Sequence, residues 1–370
     1  MSSDRVLRLA DVLVGYSTRV REGDLVCIDT DPPAAPLVRE LWRRILEVGG
    51  HPHLRLDVEG APEVLLREGT DEQMSWVSPV RRAEVEQADV RIAVYADVNT
   101  RANSGVDPER QARLERAHDP IRRIHFSRVA SGDLRYVVTL YPTQAAAQDA
   151  DMSLSDYEDF VFRAGLLDRD DPRAEWEALG RAYGLLADRL GRHAEIRVVG
   201  DGTDLTFGVE GRTWVASDGR ENFPDGEVFT GPVETSVDGT ISFSYPSSHA
   251  GRRISGVQLE FRGGEVVRAE AEEGEAFLHE MLALDAGARR AGEFAFGLNE
   301  ALTEFTGHTL FDEKIGGTVH LALGASYPET GGQVQSALHW DLVCDLRNGG
   351  EAYADGELIY RDGRFLDAVV

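Results

Sequence analysis

His339 and Asp341 stand two residues apart in Ala-Leu-His-Trp-Asp-Leu-Val. On a strand that spacing turns an imidazole and a carboxylate to one face and sends Trp340 to the other. Side by side they form either half of a metal site or a hydrogen-bonded structural pair. Their neighbours favour metal. His320 lies in Gly-Thr-Val-His-Leu-Ala-Leu-Gly, and Glu313 precedes it in Leu-Phe-Asp-Glu-Lys. Glu227 sits at a turn leading into a strand, in Asp-Gly-Glu-Val-Phe-Thr, and Glu293 borders an apolar stretch in Gly-Glu-Phe-Ala-Phe-Gly. A carboxylate in buried sequence must be neutral, paired or metal-bound. Glu313 also has a plainer reading, as a surface acid beside Lys314. Together Glu227, Glu293, Glu313, His320, His339 and Asp341 offer four carboxylates and two imidazoles, a charge of −4 when the histidines are neutral. Two divalent cations cancel that charge, which is the balance of a two-metal hydrolytic centre with its ions about 3.5–4 Å apart. Such a donor set suits zinc, cobalt or manganese, with magnesium as a further option.

Lys314 is the only lysine among 39 basic residues, and it adjoins Glu313. A compact ammonium can approach a carboxylate ligand or an oxyanion where a guanidinium does not fit. That marks Lys314 as a candidate catalytic residue, against the plainer reading of a chance survivor of an arginine-rich composition. Other groupings are weaker. His51 and His53 share the two-residue spacing but open a strand after Gly49-Gly50, which fits a surface role. Ser236, Ser242 and Ser244 lack a G-x-S-x-G setting, and Cys27 and Cys344 lie in apolar runs, as buried core cysteines do.

The elements that must carry these residues are β-rich. From His193 onward, segments such as 196–199, 205–209, 212–216, 241–245, 257–261 and 266–269 alternate apolar and polar residues and are broken by Gly and Asp. Earlier, strand-like runs at 24–29, 53–57, 89–95 and 134–141 alternate with helical patterns at 6–16, 36–48, 155–167 and 172–193. That alternation predicts βαβ units on a parallel sheet. The chain therefore reads as an N-terminal parallel-sheet α/β scaffold domain over 1–195, then a β-rich α+β catalytic domain over 196–370. Neither G-x-G-x-x-G after a strand nor G-x-x-x-x-G-K-[ST] occurs, so no nucleotide site is expected in the first half.

A length of 370 residues suits two cores. The net charge of −26 disfavours nucleic acid and anionic membranes as partners and favours cations and substrates with a free amino group. No apolar run is long enough for a membrane span, and the charged first residues do not form a secretory signal. Two distant cysteines point to a reducing, cytoplasmic compartment.

Several separated segments, in one order, resemble the thermophilic-type metallo-aminopeptidases, the group of aminopeptidases T, S and II. They are Asn222-Phe-Pro-Asp-Gly-Glu-Val-Phe-Thr230, Gly292-Glu-Phe-Ala-Phe-Gly-Leu-Asn299, the run Leu310–Gly324, Ser326-Tyr-Pro-Glu-Thr-Gly-Gly332 and Ser336-Ala-Leu-His-Trp-Asp-Leu-Val343. Leu9–Tyr16 and Leu140-Tyr-Pro-Thr143 extend the likeness into the first half. The resemblance implies an aminopeptidase with two divalent ions, zinc or cobalt, that acts on peptides with a free N-terminus and is homodimeric. It places Glu227, Glu293, His320, His339 and Asp341 at ligand positions, Glu313 at a further acidic position and Tyr327 near the metals. Glu227 and Glu313 are both candidates for the proton carrier. Two other activities share this donor set: an amide hydrolase acting on non-peptide substrates, and a metal-binding protein without turnover.

Overall fold

The computed structural model describes residues 3–249 and 251–366. The chain forms two compact units: one takes in residues up to Arg173 together with Arg220–Phe223, the other Ala174–Gly219 and the chain from Pro224 onward.

The first unit is built on a five-stranded parallel sheet. Its strands run in the order His51–Leu56, Leu25–Thr30, Val90–Tyr95, Arg135–Leu140 and Asn222–Phe223. Val26, Ile28, Val90, Ile92 and Val137 are buried in it, as strands covered on both faces require. The helix Ala35–Glu47 crosses between the first two strands and buries Leu37, Val38, Leu41 and Ile45, the one-sided stripe expected over 36–48. Helical winding at the start of the chain extends from Ser3–Val12 into a π-turn, Leu13–Ser17, so the pattern read over 6–16 is one element of two pitches.

The helix Pro172–Leu190 belongs to the second unit from Ala174 onward. Its Tyr183, Leu186, Ala187 and Leu190 join the same core as Ile196 and Val198 on the strand that follows. Two antiparallel sheets make up the rest. The larger runs Glu265–Glu270, Gln258–Arg262, Asp238–Ser242, Thr203–Gly208, Glu195–Gly200, Glu351–Ala354, Glu357–Arg361 and Arg364–Phe365. The smaller runs His339–Asp345, Thr318–Gly324, Ala291–Gly297, Glu227–Thr230 and Val215–Ser217. Both contribute to one apolar core, where Phe207 of the larger sheet meets Phe294 of the smaller with ring centroids 4.6 Å apart. The expected sequence of a parallel α/β region followed by a β-rich α+β region is the fold observed. No helix among the described residues is long and apolar enough to cross a membrane.

Candidate metal centre

The smaller sheet of the second unit is two-faced, and alternation explains how. Val228, Phe294, Phe296, Val319, Leu321, Leu323, Trp340, Leu342 and Cys344 all point into the core. Their sequence neighbours point the other way, and these include Glu227, Glu293, His320, His339 and Asp341. Register brings them together. Glu293 pairs with Ala322, which pairs with Asp341; Ala295 pairs with His320; Gly297 pairs with Glu227. The positions between the polar residues on this face are small, Ala295, Gly297, Ala322 and Gly324, which leaves room above the sheet for the longer side chains. Glu313 and Lys314 arrive from the segment that follows the short helix Thr309–Asp312.

The six expected ligands divide into two groups of three, each with donor atoms mutually within 4.8 Å: Glu227, Glu313 and His320, and Glu293, His339 and Asp341. Glu293 faces both imidazoles, with Oε1 3.6 Å from His320 Nε2 and Oε2 3.3 Å from His339 Nε2. Glu227 Oε2 lies 3.6 Å from His320 Nε2, and Asp341 Oδ2 3.5 Å from His339 Nε2. The outer nitrogens of both rings are occupied: His320 Nδ1 bonds the Glu313 carbonyl at 3.1 Å and His339 Nδ1 the Ala325 carbonyl at 2.9 Å. Each Nδ1 therefore carries the proton, and each Nε2 presents a lone pair to the cluster when the ring is neutral.

Without a cation this arrangement is electrostatically uncomfortable. Burial works against charge on His320 and His339, but the surrounding carboxylates overcome it and push their pKa values up to about 9 and about 10. Glu293 is likewise penalised by burial, yet the two imidazoles beside it outweigh burial and hold it at about 2. Asp341 is pushed up to about 7 by burial and by Glu313. Glu227 Oε2 and Asp341 Oδ1 are buried and have no hydrogen-bond partner. Orphaned carboxylate oxygens beside two imidazoles, whose Nε2 atoms offer lone pairs once their protons leave, are the donor set a divalent ion completes. The residues present fit such ions.

Three further observations extend the sequence reading. Lys314 is buried, 2% exposed, with Nζ 2.5 Å from Glu313 Oε2 and 3.3 Å from Glu227 Oε1. Glu313 is no surface acid. Tyr327 packs edge-on against His339 and Phe229, at 5.0 and 5.5 Å between centroids. Glu313 and Asp341 line a cavity of about 130 Å³ together with Ser247, Phe305, His308 and Asp312. Sequence reasoning passed over Asp312, which accepts bonds from the Thr306 backbone and hydroxyl and is pushed up to about 7, chiefly by burial. It also passed over Asn299, whose side-chain amide donates to the Asp225 carbonyl at 2.7 Å, two residues before Glu227. Both lay inside quoted motifs; only their burial distinguishes them from ordinary loop polars. His51 and His53 sit on the edge strand of the first unit, with His53 beside Glu84 at 3.3 Å, and take no part in the centre.

The sequence profile of the thermophilic metalloprotease family, M29, matches residues 2–365. The chain belongs to that family. Its members are metallopeptidases, so this protein is a peptide-bond hydrolase of a family that works with divalent metal. Aminopeptidase 2 of Geobacillus stearothermophilus is 27% identical over 346 residues, covering 87% of this chain and 83% of its own. Aminopeptidase T of Thermus aquaticus is 28% identical over 357 residues, 88% and 86% of the two chains. Aminopeptidase T of Thermus thermophilus is 29% identical over 352 residues, 87% and 85%. In fold, the chain superposes on wild-type AmpT from Thermus thermophilus with a TM-score of 0.86 over 98% of this chain and 99% of the other, at 23% identity.

Proposed function

We propose that the protein removes N-terminal residues from peptides with the help of two divalent ions, zinc or cobalt, held by Glu227, Glu293, Glu313, His320, His339 and Asp341. The observation that carries this is Glu293, whose two oxygens face one imidazole of each ligand group. A carboxylate so placed serves two ions at once. When bound, such ions supply a water of lowered pKa and polarise the carbonyl under attack.

The chain's own residues divide the remaining work. Glu313 is the better proton carrier of the two glutamates, because it lines the cavity with Asp341 while Glu227 Oε2 is enclosed within the cluster. Lys314 fixes one oxygen of Glu313 and is a positioning residue. Tyr327 is 40% exposed, and its hydroxyl stays protonated, since burial and the charges of Glu293 and Asp341 raise its pKa. It can donate to the oxygen that gains charge in the transition state. The acidic lining favours a substrate α-ammonium, which fits removal of the first residue. Two buried, unpaired cysteines suit a reducing cytoplasm.

The test is hydrolysis of a leucine amide after chelator dialysis, then after return of zinc or cobalt, with ions counted per chain and an N-acetylated peptide alongside. Activity that disappears and returns with two ions, and that spares the acetylated peptide, supports the proposal. Equal cleavage of the acetylated peptide would make the protein an amidase of another kind. Tight metal without turnover would make it a binding protein.

A further inference from the structure

On the aminopeptidase reading above, we infer that the cavity beside Glu313 and Asp341 receives the side chain of the residue being removed, and that Phe305 limits that side chain to an aliphatic one of about leucine size.

The cavity measures about 130 Å³ and touches Glu313 and Asp341, one residue from each ligand group, which sets it against the bond to be cut. For scale, an apolar cavity of about 150 Å³ holds a benzene molecule. The branched side chain of leucine is smaller than benzene and fits. The benzyl group of phenylalanine is larger than benzene and does not. The space holds one side chain, so the rest of the peptide must lie elsewhere.

The lining suits an apolar guest. Three of its polar residues turn polar atoms toward the protein itself. The Ser247 hydroxyl donates to the Asp341 carbonyl at 3.2 Å and accepts from the Trp340 indole at 2.9 Å. Asp312 Oδ1 accepts from the Thr306 amide at 2.7 Å and from its hydroxyl at 2.9 Å. His308 Nδ1 accepts from the Leu310 amide at 3.3 Å. Ser248 and Thr309 are exposed. Pro246, Phe305 and Val343 supply the apolar surface. An aliphatic side chain placed there leaves water without breaking any of these hydrogen bonds.

The Phe305 wall is held rigidly. Alternation along the strand His339–Asp345 puts Asp341, Val343 and Asp345 on one face. In steps of two, that face supplies a candidate ligand, part of the pocket and an anchor. Asp345 accepts from the Tyr245 hydroxyl at 3.0 Å, and Tyr245 stacks on Phe305 with centroids 5.2 Å and planes 3° apart. Arg347 donates to Asp345 at 2.6 Å, to the Tyr245 hydroxyl, and to the Thr303 carbonyl at 3.2 Å, two residues before Phe305. A ring backed in this way cannot swing aside for a larger guest without breaking those contacts.

The experiment compares kcat/KM of the cobalt-loaded protein on the amides of alanine, leucine, phenylalanine and arginine. It is run at high salt, where the long-range field is screened, with metal counted per chain. The wild-type chain is expected to favour leucine over alanine and over phenylalanine by about tenfold or more, the scale on which an apolar pocket discriminates. Phe305→Ala should raise phenylalanine relative to leucine by about tenfold, and Phe305→Trp should lower leucine relative to alanine by about the same factor. Tyr245→Leu removes the backing ring and should shift the ratio as Phe305→Ala does, through KM more than kcat. A merely structural role for Phe305 would lower all four amides together; unchanged ratios would overturn the inference. A wild-type preference for phenylalanine would overturn it too, as would one for arginine, which would give the pocket to Asp312. Dipeptides that all begin with leucine provide the control: if Phe305→Ala alters only the choice of second residue, the cavity serves the leaving group and the inference fails. Should Phe305→Ala not fold, Phe305→Trp and the wild-type ratios decide. Turnover with unaltered ratios would remove this inference and leave the aminopeptidase standing. No turnover of any free-amine amide would remove both.

Discussion

On the proposed two-ion reading, Glu293 is the residue on which both candidate ligand groups depend, since among the described residues it is the carboxylate that faces His320 and His339 together. Glu293→Gln keeps the shape and removes the charge, so it should lose both ions, whereas Asp341→Asn should lose only the ion beside His339. Metal content per chain separates the two; retention of one ion by Glu293→Gln would show that the carboxylate serves a single position. A second buried acid works through charge without metal. In the first unit, Asp29 is ringed by Arg91, Arg55 and Arg81, at 2.5, 2.9 and 3.3 Å. Burial alone pushes its pKa up, but the three guanidinium groups outweigh burial and hold it at about 2. A carboxyl with a depressed folded-state pKa stabilises fully above its unfolded value of about 3.9, and that stability is lost as pH falls through the folded value. Asp29→Asn should therefore lower stability by ~3 kcal/mol at neutral pH, as removal of one partner from a buried ion cluster does. The gap to wild type should close below about pH 4 and vanish near pH 2. Urea unfolding of both proteins across that range is the measurement, and a gap independent of pH would assign the loss to packing.

At the level of elements, the site exists because one antiparallel sheet alternates faithfully, and this is why much of it was legible. The spacing of His339 and Asp341 gave their common face directly, and Trp340 lies in the core as that spacing requires. The first-half elements were readable from other patterns: Leu25–Thr30 is a short run buried along nearly its whole length, as a strand covered on both faces is, and Ala35–Glu47 keeps period 3.6. Pairing between distant strands was not readable. Nothing local tells that Glu293 lies across Ala322 from Asp341, or that Asn222–Phe223, only two residues long, joins the first parallel sheet. The entry of Glu227 into its strand depends on such a non-local contact. Gly226 has φ +130, and a Cβ there would lie 2.9 Å from Asn299 Cβ and 3.1 Å from its amide nitrogen. The Gly226 carbonyl also accepts the Leu298 amide at 2.8 Å. Gly226→Ala should cost ~2 kcal/mol through backbone strain and shift Glu227 relative to His320. Thermal unfolding and metal content together check this. A variant with an unchanged midpoint and full metal would show that the turn yields without moving the ligand.

For the whole molecule, the dominant property is an excess of 65 acidic over 39 basic residues, a net charge of −26. The sheet needs only a few of those charges; the remainder act at a distance. A negative field raises the local concentration of cations and repels anions, and its reach is set by salt: about 30 Å at 0.01 M and about 3 Å at 1 M. A peptide with a free amino terminus brings its positive end to the acidic cavity, and acidic side chains further along oppose that approach. Two peptides sharing the same first residue, one continuing with arginines and one with glutamates, should therefore differ in kcat/KM at low salt, the basic one being faster. The difference should sit in KM and shrink steadily as salt is added, because kcat depends on contacts at the bond being broken. A preference that persists undiminished at 1 M salt would place selectivity in direct contacts with the second residue, and the surface charge would then serve solubility alone.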